Sequence, residues 1–182
     1  CEFLKYPVVS GNVSFYNGTN KKSIFPTPVI GGVGLIKDLS KKINHRIKKE
    51  NSSIILIGKT FGHLEQSVFF EEIYSINEGS PPDVNLKNEK NNGEIIQELI
   101  KKNLLNAVHD VSSGGLITAL AEMTIGSNFG VIINKPKKLT NLFKYFFGED
   151  QGRYVAEIEK ENFKKIEKLL KKKQHFLRKY WS

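Results

Sequence analysis

The 182-residue sequence contains one cysteine, Cys1, and one methionine, Met123. A single thiol excludes a disulfide within the chain, which is consistent with a cytosolic protein. No apolar run approaches the roughly 20 residues of a membrane-spanning helix. No basic segment followed by an apolar one marks a signal peptide at the amino terminus. Because residue 1 is not methionine, we expect the chain to be a fragment of a longer polypeptide.

Several motifs of catalysis and nucleotide binding are also missing. The sequence has no Cys/His spacing of a zinc site, no G-x-G-x-x-G and no Walker lysine motif. The net charge of +9 suggests nucleic acid, but residues 160–182 hold nine Lys/Arg and two acidic residues, a net of +7. We interpret this excess as the solvated face of a carboxyl-terminal helix, and we expect no nucleic-acid partner.

What is present favours a folded, layered domain. The hydrophobic content of 39% and aromatic content of 10% are sufficient for a core. Segments with strand and helix patterns alternate, which predicts a layered α/β or α+β architecture with a mixed sheet. The polar run at residues 51–53 predicts a domain boundary near residue 50. We therefore expect one subdomain over residues 1–50 and another over residues 51–182.

The pattern also predicts individual elements. Residues 1–6 read as the last turn of a helix, and residues 17–23 as a turn. We expect strands at residues 29–36, 54–58, 129–133 and 154–158, and a strand or a short helix at residues 43–47. We expect helices at residues 94–102, 116–123, 139–147 and 163–170.

The candidate site is the loop PVVSGNVSFYN at residues 7–17, which we expect to be a strand, a turn and a second strand. Gly11 would allow a ligand to approach the backbone closely. Asn12 offers a neutral carbonyl oxygen, which is a suitable ligand for Mg²⁺, and Ser14 offers a hydroxyl. A β-turn in which these residues only satisfy the turn geometry is the alternative.

A second motif, HDVSSGG at residues 109–115, lies between a predicted strand and a predicted helix. Ser112 or Ser113 is a candidate helix cap, and free N–H groups of the turn could bind a phosphate. The alternative, which we favour, is a capped turn packed tightly through its glycine pair. His109 and Asp110 invite an acid–base interpretation, but we expect them to hydrogen-bond the turn and a neighbouring segment.

Five separated strings occur in an order that resembles phosphoribosylformylglycinamidine synthase, the ATP-dependent amidation enzyme of purine biosynthesis. They are PVVSGNVSFYN, PTPVIGGVGLI, the PPxVxL loop, HDVSSGG and FGEDQGRY. The resemblance is to the form whose synthase (PurL, small form), glutaminase and small bridging subunit are separate chains. It implies a PurM-like fold, with residues 1–50 the end of an ATP- and substrate-binding subdomain and residues 51–182 a carboxyl-terminal-type subdomain.

The same resemblance assigns roles to three residues. Gly11 would lie at ATP, Asn12 would ligate Mg²⁺, and Ser14 would contact formylglycinamide ribonucleotide. It also implies that the family's catalytic histidine and acidic ligands precede Cys1, so no catalytic residue is assigned here. We expect the isolated chain to be inactive.

The sequence departs from the family at Glu65, where glycine is usual, at Ser113, where aspartate is usual, and after about Leu170. The resemblance further implies an interdomain polar network of Glu149, Asp150 and Arg153. Two other functions stay open: an inactive remnant of the synthase, or a relative of the same fold such as aminoimidazole ribonucleotide synthetase.

Overall fold

A computed structural model describes residues 1–14, 16–24, 27–134, 141–172 and 177–180, with the backbone alone at 172 and 177–180. The chain divides into two compact units, residues 1–40 and 41–182. Phe15 of the predicted site strand, the first two residues of the predicted helix at 139–147, and residues 173–176 and 181–182 of the basic carboxyl-terminal segment lie outside the described residues. Among the described residues, no helix is long and apolar enough to cross a membrane.

The described part of residues 1–40 contains one small β-hairpin. Strands β1 (Gly18–Thr19) and β2 (Lys22–Ser23) form an antiparallel hairpin. The residues between them, Asn20 and Lys21, have φ values of 51° and 64°, as a two-residue turn of type I′ requires. This hairpin occupies the predicted turn. At the amino terminus, the N–H of Tyr6 donates to the carbonyl of Cys1 at 3.0 Å and closes a single turn.

The three strands predicted on the two sides of the hairpin are not formed in the described residues. No described residue of the loop at 7–17 or of the segment 29–36 belongs to a strand. The expected buried strand at 29–36 is wrong, since Val29 is 93% and Val33 is 100% exposed. An apolar run is buried only where other elements cover it, and every described residue of 1–40 is exposed.

The unit of residues 41–182 is built on a four-stranded sheet in the order β4–β5–β3–β6. Its strands are β3 (Ser53–Ile57), β4 (Ala107–Val111), β5 (Arg153–Ile158) and β6 (Leu177–Tyr180). Each neighbouring pair is antiparallel, and Ile55 lies opposite Ala156 on β5 and Lys179 on β6. The predicted strands at 54–58 and 154–158 are confirmed, and each begins one residue before its predicted start.

The described residues of this unit form five helices beside the sheet. They are α1 (Val68–Tyr74), α2 (Leu86–Lys101), α3 (Gly115–Thr124), α4 (Leu142–Phe147) and α5 (Phe163–Lys172), with short 3₁₀ turns at Leu39–Lys41 and Lys160–Asn162. The predicted helices at 94–102, 116–123 and 163–170 are confirmed. α2 begins earlier than predicted because Asn85 caps it, its Oδ1 accepting the N–H of Asn88 at 2.9 Å.

Two apolar clusters lie on opposite faces of the sheet, which explains the unbroken apolar run of β3. Ile54 and Leu56 belong to the cluster that contains α3 residues, whereas Ile55 and Ile57 belong to the cluster that contains α2 and α5 residues. A strand covered on both faces needs no polar residues in alternation. The three layers confirm the predicted layered α/β architecture.

Two segments pack on this core without joining the sheet. Residues 43–47 are neither strand nor helix, although Ile47 is buried and its N–H donates to the carbonyl of Met123. The predicted strand at 129–133 is also wrong. Phe129, Val131 and Ile133 pack against the first cluster, but no described strand pairs with them. Their alternating apolar pattern reflects the burial of one side of the segment and not hydrogen bonding to a neighbouring strand.

Candidate functional site

The three residues of the candidate ligand loop lie in the unit of residues 1–40. Gly11, Asn12 and Ser14 are all exposed, in a stretch without regular secondary structure. The clearest restraint on the loop is the side chain of Asn17, whose Nδ2 donates to the carbonyl of Ser14 at 2.8 Å. The loop therefore offers one backbone position, one amide oxygen and one hydroxyl to the surroundings.

Gly11 does not adopt the left-handed conformation that glycine allows at low cost, since it is absent from the positive-φ positions of the described residues. A Cβ built on Gly11 would meet nothing within 4 Å. Nothing within this fold therefore requires glycine at position 11.

The HDVSSGG turn lies where the start of α3 packs closely against α4. Gly114 and Gly115 have φ values of 77° and 73°, and a Cβ on Gly115 would lie 2.7 Å from the carbonyl oxygen of Phe146 in α4. The expected serine cap is wrong, because the cap position of α3 is Gly114 and no side chain of that residue can serve. The N–H of Gly115 donates instead to the carbonyl of Ser112 at 3.0 Å.

Glu149 occupies the position that a phosphate would take if the N–H groups of this turn bound one. Its Oε1 accepts the N–H of Gly114 and the N–H of Val68, both at 2.8 Å. The carboxylate thus bonds the first residue of α1 and the cap of α3 together. Since the chain's own anion satisfies the turn, the turn is structural, as the favoured alternative predicted.

His109 and Asp110 are residues of strand β4 and do not lie in the turn. The Nδ1 of His109 is 2.7 Å from the carbonyl oxygen of Asp110, and its Nε2 is 3.2 Å from Oε2 of Glu122. The ring of His45 lies 5.2 Å away. These contacts agree with the predicted hydrogen-bonding role. The part of the chain that is described contains no group of three or more His, Cys, Asp or Glu residues able to hold a metal ion.

Asp150 and Arg153 form a buried network, as the FGEDQGR string predicts. The carboxylate of Asp150 accepts the N–H groups of Phe61, Gly62 and His63 at 2.9–3.1 Å. Arg153, 1% exposed, donates through Nε to the carbonyl of Asp150. Burial lowers the pKa of the Arg153 guanidinium, and the nearby Asp150 carboxylate opposes that shift. These partners lie within residues 41–182, so the network is internal to one unit and the interdomain interpretation is wrong.

Sequence reasoning did not anticipate a cleft of about 360 Å³ beside the start of α2. Glu89 projects from the first turn of α2 into this cleft, and burial raises the pKa of its carboxyl while a hydrogen bond from Gly152 opposes the rise. The other side chains that line the cleft come from the loop after β3, the proline loop, the start of α2 and the loop before β5. They include Lys59, Asp83, Asn88 and Gln151. Because the helix turn around Glu89 is otherwise polar, the sequence gives no indication that this glutamate lines a cleft.

Comparison with known protein families shows to which family this fold belongs. Residues 49–177 match the family model described as AIR synthase related protein, C-terminal domain. The match takes in the whole sheet up to the first residue of β6, with all five helices. The chain belongs to this family, and the predicted PurM-like architecture is confirmed.

Individual relatives identify the similarity more specifically than the family model does. The chain is 50% identical over 175 residues to the phosphoribosylformylglycinamidine synthase subunit PurL of Pelagibacter ubique (strain HTCC1062), covering 96% of this chain and 24% of that protein. It is 44% identical over 162 residues to the same subunit of Rhodopseudomonas palustris (strain HaA2), covering 89% and 22%. The predicted resemblance to PurL is confirmed. The chain spans about a quarter of the length of these relatives.

Solved structures share the fold. Three are PurL of T. maritima complexed with FGAR (TM-score 0.64, 17% identity, 78% of this chain and 25% of that one), PurL complexed with ATP (0.61, 14%, 78% and 23%) and PurLQS (0.59, 16%, 78% and 23%). At these identities the likeness concerns the fold alone.

Proposed function

We propose that the chain is the carboxyl-terminal part of the synthase subunit of a cytoplasmic phosphoribosylformylglycinamidine synthase, an ATP-dependent carbon–nitrogen ligase of purine biosynthesis. The observation that carries this proposal is the 50% identity to PurL of Pelagibacter ubique over 175 residues. A match of that length leaves only seven residues of the chain outside it, so it reaches into the unit that holds Gly11, Asn12 and Ser14. In this proposal residues 1–50 end one subdomain and residues 51–182 form the next.

The reaction would proceed in two transfers. The γ-phosphoryl group of ATP passes to the amide oxygen of formylglycinamide ribonucleotide, and ADP leaves. Ammonia then attacks the activated carbon, and phosphate departs to give the amidine. Gly11 would lie against the nucleotide, where the open space over its Cα admits a ligand. Ser14 would hold the ribonucleotide through its hydroxyl.

Mg²⁺ is the metal that this chemistry implies, and it would neutralise charge on the transferring phosphoryl group. The exposed amide of Asn12 would offer Mg²⁺ one neutral oxygen ligand. The described residues supply no carboxylate cluster to complete that shell. Asn12 would therefore contribute one ligand, with the remainder coming from substrate phosphates, water and other parts of the polypeptide.

Ammonia would come from a separate glutaminase subunit, held to the synthase by a small bridging subunit. The PurLQS assembly of T. maritima supports this arrangement as a solved complex of a structural neighbour. We expect the isolated 182-residue chain to show no turnover with ATP, Mg²⁺, ammonia and formylglycinamide ribonucleotide, because one amide cannot hold the metal against water.

The test places this chain in a whole enzyme. The matched quarter of Pelagibacter ubique PurL is replaced by this chain, and ammonia-dependent amidation of the chimera is measured. Turnover within about tenfold of the recipient enzyme supports the proposal. A folded chimera without turnover would indicate an inactive remnant, and one that makes aminoimidazole ribonucleotide instead would indicate the other synthetase.

Two substitutions in the chimera test the roles proposed for Asn12 and Ser14. Asn12→Ala should lower kcat by roughly 10²–10³, by analogy with the loss of one electrostatic stabilising group. Ser14→Ala should mainly raise KM for the ribonucleotide, since it removes a positioning contact. The exposed pair Asn128→Ala and Ser113→Ala serve as matched controls. If both loop residues only shape a turn, their variants lose thermal stability and keep normal kinetics per folded molecule.

A further inference from the structure

The cleft beside the start of α2 has the size of a small-molecule site. Its volume is about 360 Å³, and ligand pockets in proteins range from about 300 to 1,000 Å³. All of its lining residues belong to the unit of residues 41–182. The roles proposed above for Gly11, Asn12 and Ser14 do not involve this cleft, so its chemistry is a separate question.

Hydrogen bonds hold two of the walls in place. The buried carboxylate of Asp150 accepts the backbone N–H groups of residues 61–63, which fixes the loop after β3. From that loop, Nε2 of His63 lies 2.8 Å from the carbonyl oxygen of Ser80. The Oε2 of Glu65 accepts the N–H of Ser80, also at 2.8 Å. The start of the proline loop is therefore attached to the loop after β3.

The other two walls, α2 and the loop before β5, are also joined to each other. Nδ2 of Asn92 donates to the carbonyl of Gly152 at 2.8 Å, and the backbone of Gly152 hydrogen-bonds the carboxylate of Glu89. Gly152 has a φ of 67°, and a Cβ there would lie 3.1 Å from Oε2 of Glu89. With all four walls held by the chain itself, a ligand would not have to order them on binding.

The lining combines an aromatic ring with side-chain amides. Phe61 is 76% exposed while its backbone N–H is held by Asp150, and such a ring can stack on a planar heterocycle. Asn88 and Gln151 also line the cleft, and the described residues give neither side chain a hydrogen-bond partner. Asn and Gln amides pair with the amino group and the adjacent ring nitrogen of adenine.

The carboxylate of Glu89 adds an acceptor to these amides. An exocyclic amino group has two hydrogens, so it can donate to an amide oxygen and to a carboxylate together. A metal ion is a poor alternative, because the described residues contain no group of three His, Cys, Asp or Glu able to hold one. The carboxylate of Asp150 already accepts three N–H groups of the chain.

The charges of the lining limit how anionic a ligand can be. Lys59 supplies the one permanent positive charge among the described residues that line the cleft, whereas Asp83 and Glu89 are both acidic. Lysine can pair with a single phosphate group. A triphosphate would bring several negative charges towards the two carboxylates, which repel them.

We propose that the α2 cleft binds an amino-substituted purine, as the nucleoside or its monophosphate. The base stacks on Phe61, its amino group donates to Glu89, and Asn88 and Gln151 hydrogen-bond its edge. Lys59 lies beside the phosphate when one is present. This inference goes beyond the proposed function, which places ATP and the ribonucleotide at the loop of residues 7–17.

Titration calorimetry of the 182-residue chain tests the proposal, and it requires no turnover. Adenosine and AMP should bind with 1:1 stoichiometry and a Kd below about 1 mM. Inosine, which has a carbonyl oxygen in place of the amino group, should bind at least about fivefold more weakly, because that oxygen would face Glu89. ATP should also bind at least about fivefold more weakly than AMP. Ribose 5-phosphate, which lacks the base, should not bind.

Three variants examine the contacts. Phe61→Ala should weaken adenosine and AMP binding by about tenfold or more. Glu89→Gln should reduce the preference for adenosine over inosine, because an amide can also donate to the carbonyl oxygen. Lys59→Ala should weaken AMP and leave adenosine unchanged. Phe3→Ala and Lys87→Ala, which remove exposed side chains outside the cleft, are the controls and should bind as the parent does.

Several results would overturn the proposal. They are the absence of saturable adenosine and AMP binding, parent-like affinity in Phe61→Ala, and ribose 5-phosphate binding as tightly as AMP, which would indicate a phosphate site. Thermal unfolding checks that Phe61→Ala is folded, and Phe61→Tyr, which keeps a ring for stacking, should restore binding. In the Pelagibacter chimera, the effect of Phe61→Ala on AMP binding should persist. Its absence there would mean that the rest of the subunit covers the cleft, and would overturn the proposal as well.

Discussion

The two units of this chain contrast in how they use their apolar residues. In residues 41–182, apolar segments of strands and helices meet on both faces of one sheet, and Ile55, Ile57 and Ile95 are completely buried. In residues 1–40, an equally apolar run at 29–36 remains exposed. The difference shows that an apolar pattern makes a core only where complementary elements exist in the same unit. The candidate ligand loop belongs to the unit that lacks them.

The largest effect should come from the buried network of the second unit. Asp150→Ala leaves three N–H groups without their acceptor and Arg153 without its neighbouring carboxylate, so we expect unfolding to become easier by about 3–5 kcal/mol. Chemical denaturation of the 182-residue chain measures this change. Asp83→Ala, at an exposed position, is the control and should differ from the parent by less than about 0.5 kcal/mol. A similar small effect for Asp150→Ala would mean that the network is dispensable.

A pair of truncations compares the two units directly. Leu56→Ala removes a side chain that is 1% exposed, and a cost of about 2–5 kcal/mol is expected for the cavity. Val33→Ala removes a fully exposed side chain and should change the free energy of unfolding by less than about 0.5 kcal/mol. Denaturation midpoints of both variants give the comparison. Comparable losses would show that the segment at 29–36 is part of a core.

The sequence predicted the fold well where other elements cover an apolar segment, and poorly where nothing pairs with it. Residues 54–58 and 116–123 were predicted well, because their patterns match elements that other parts of the chain cover. The segments 29–36 and 129–133 were not, since periodicity detects one-sided burial or an apolar run but not a pairing partner. At the candidate site, Asn12 and Ser14 were named through motif resemblance. The sequence did not predict that Glu149 holds the starts of two helices together. The two N–H groups that donate to its carboxylate lie 81 and 35 residues away in the chain.

The smallest expected effect is a pH dependence in the second unit. Burial raises the pKa of Glu89 in the folded state, so the folded protein binds a proton more tightly there than the unfolded chain does. The resulting stabilisation is present below the unfolded pKa and is lost as pH rises through the folded value. Glu89→Gln should therefore flatten the part of the Tm profile that starts near the ordinary glutamate pKa, about 4.3, and extends to higher pH. A variant with the same slope as the parent over this range would contradict the assignment.

The central claim is that residues 41–182 fold on their own core, whereas the segment with the ligand loop needs the rest of a synthase subunit. Hydrogen exchange of the isolated chain and of the Pelagibacter chimera tests it most directly. The amides of Ile54–Ile57 and Leu116–Met123 should be strongly protected in both proteins. Those of residues 29–36 should exchange freely in the isolated chain and become protected in the chimera. Protection of residues 29–36 equal to that of β3 in the isolated chain, or no gain of protection in the chimera, would contradict the account.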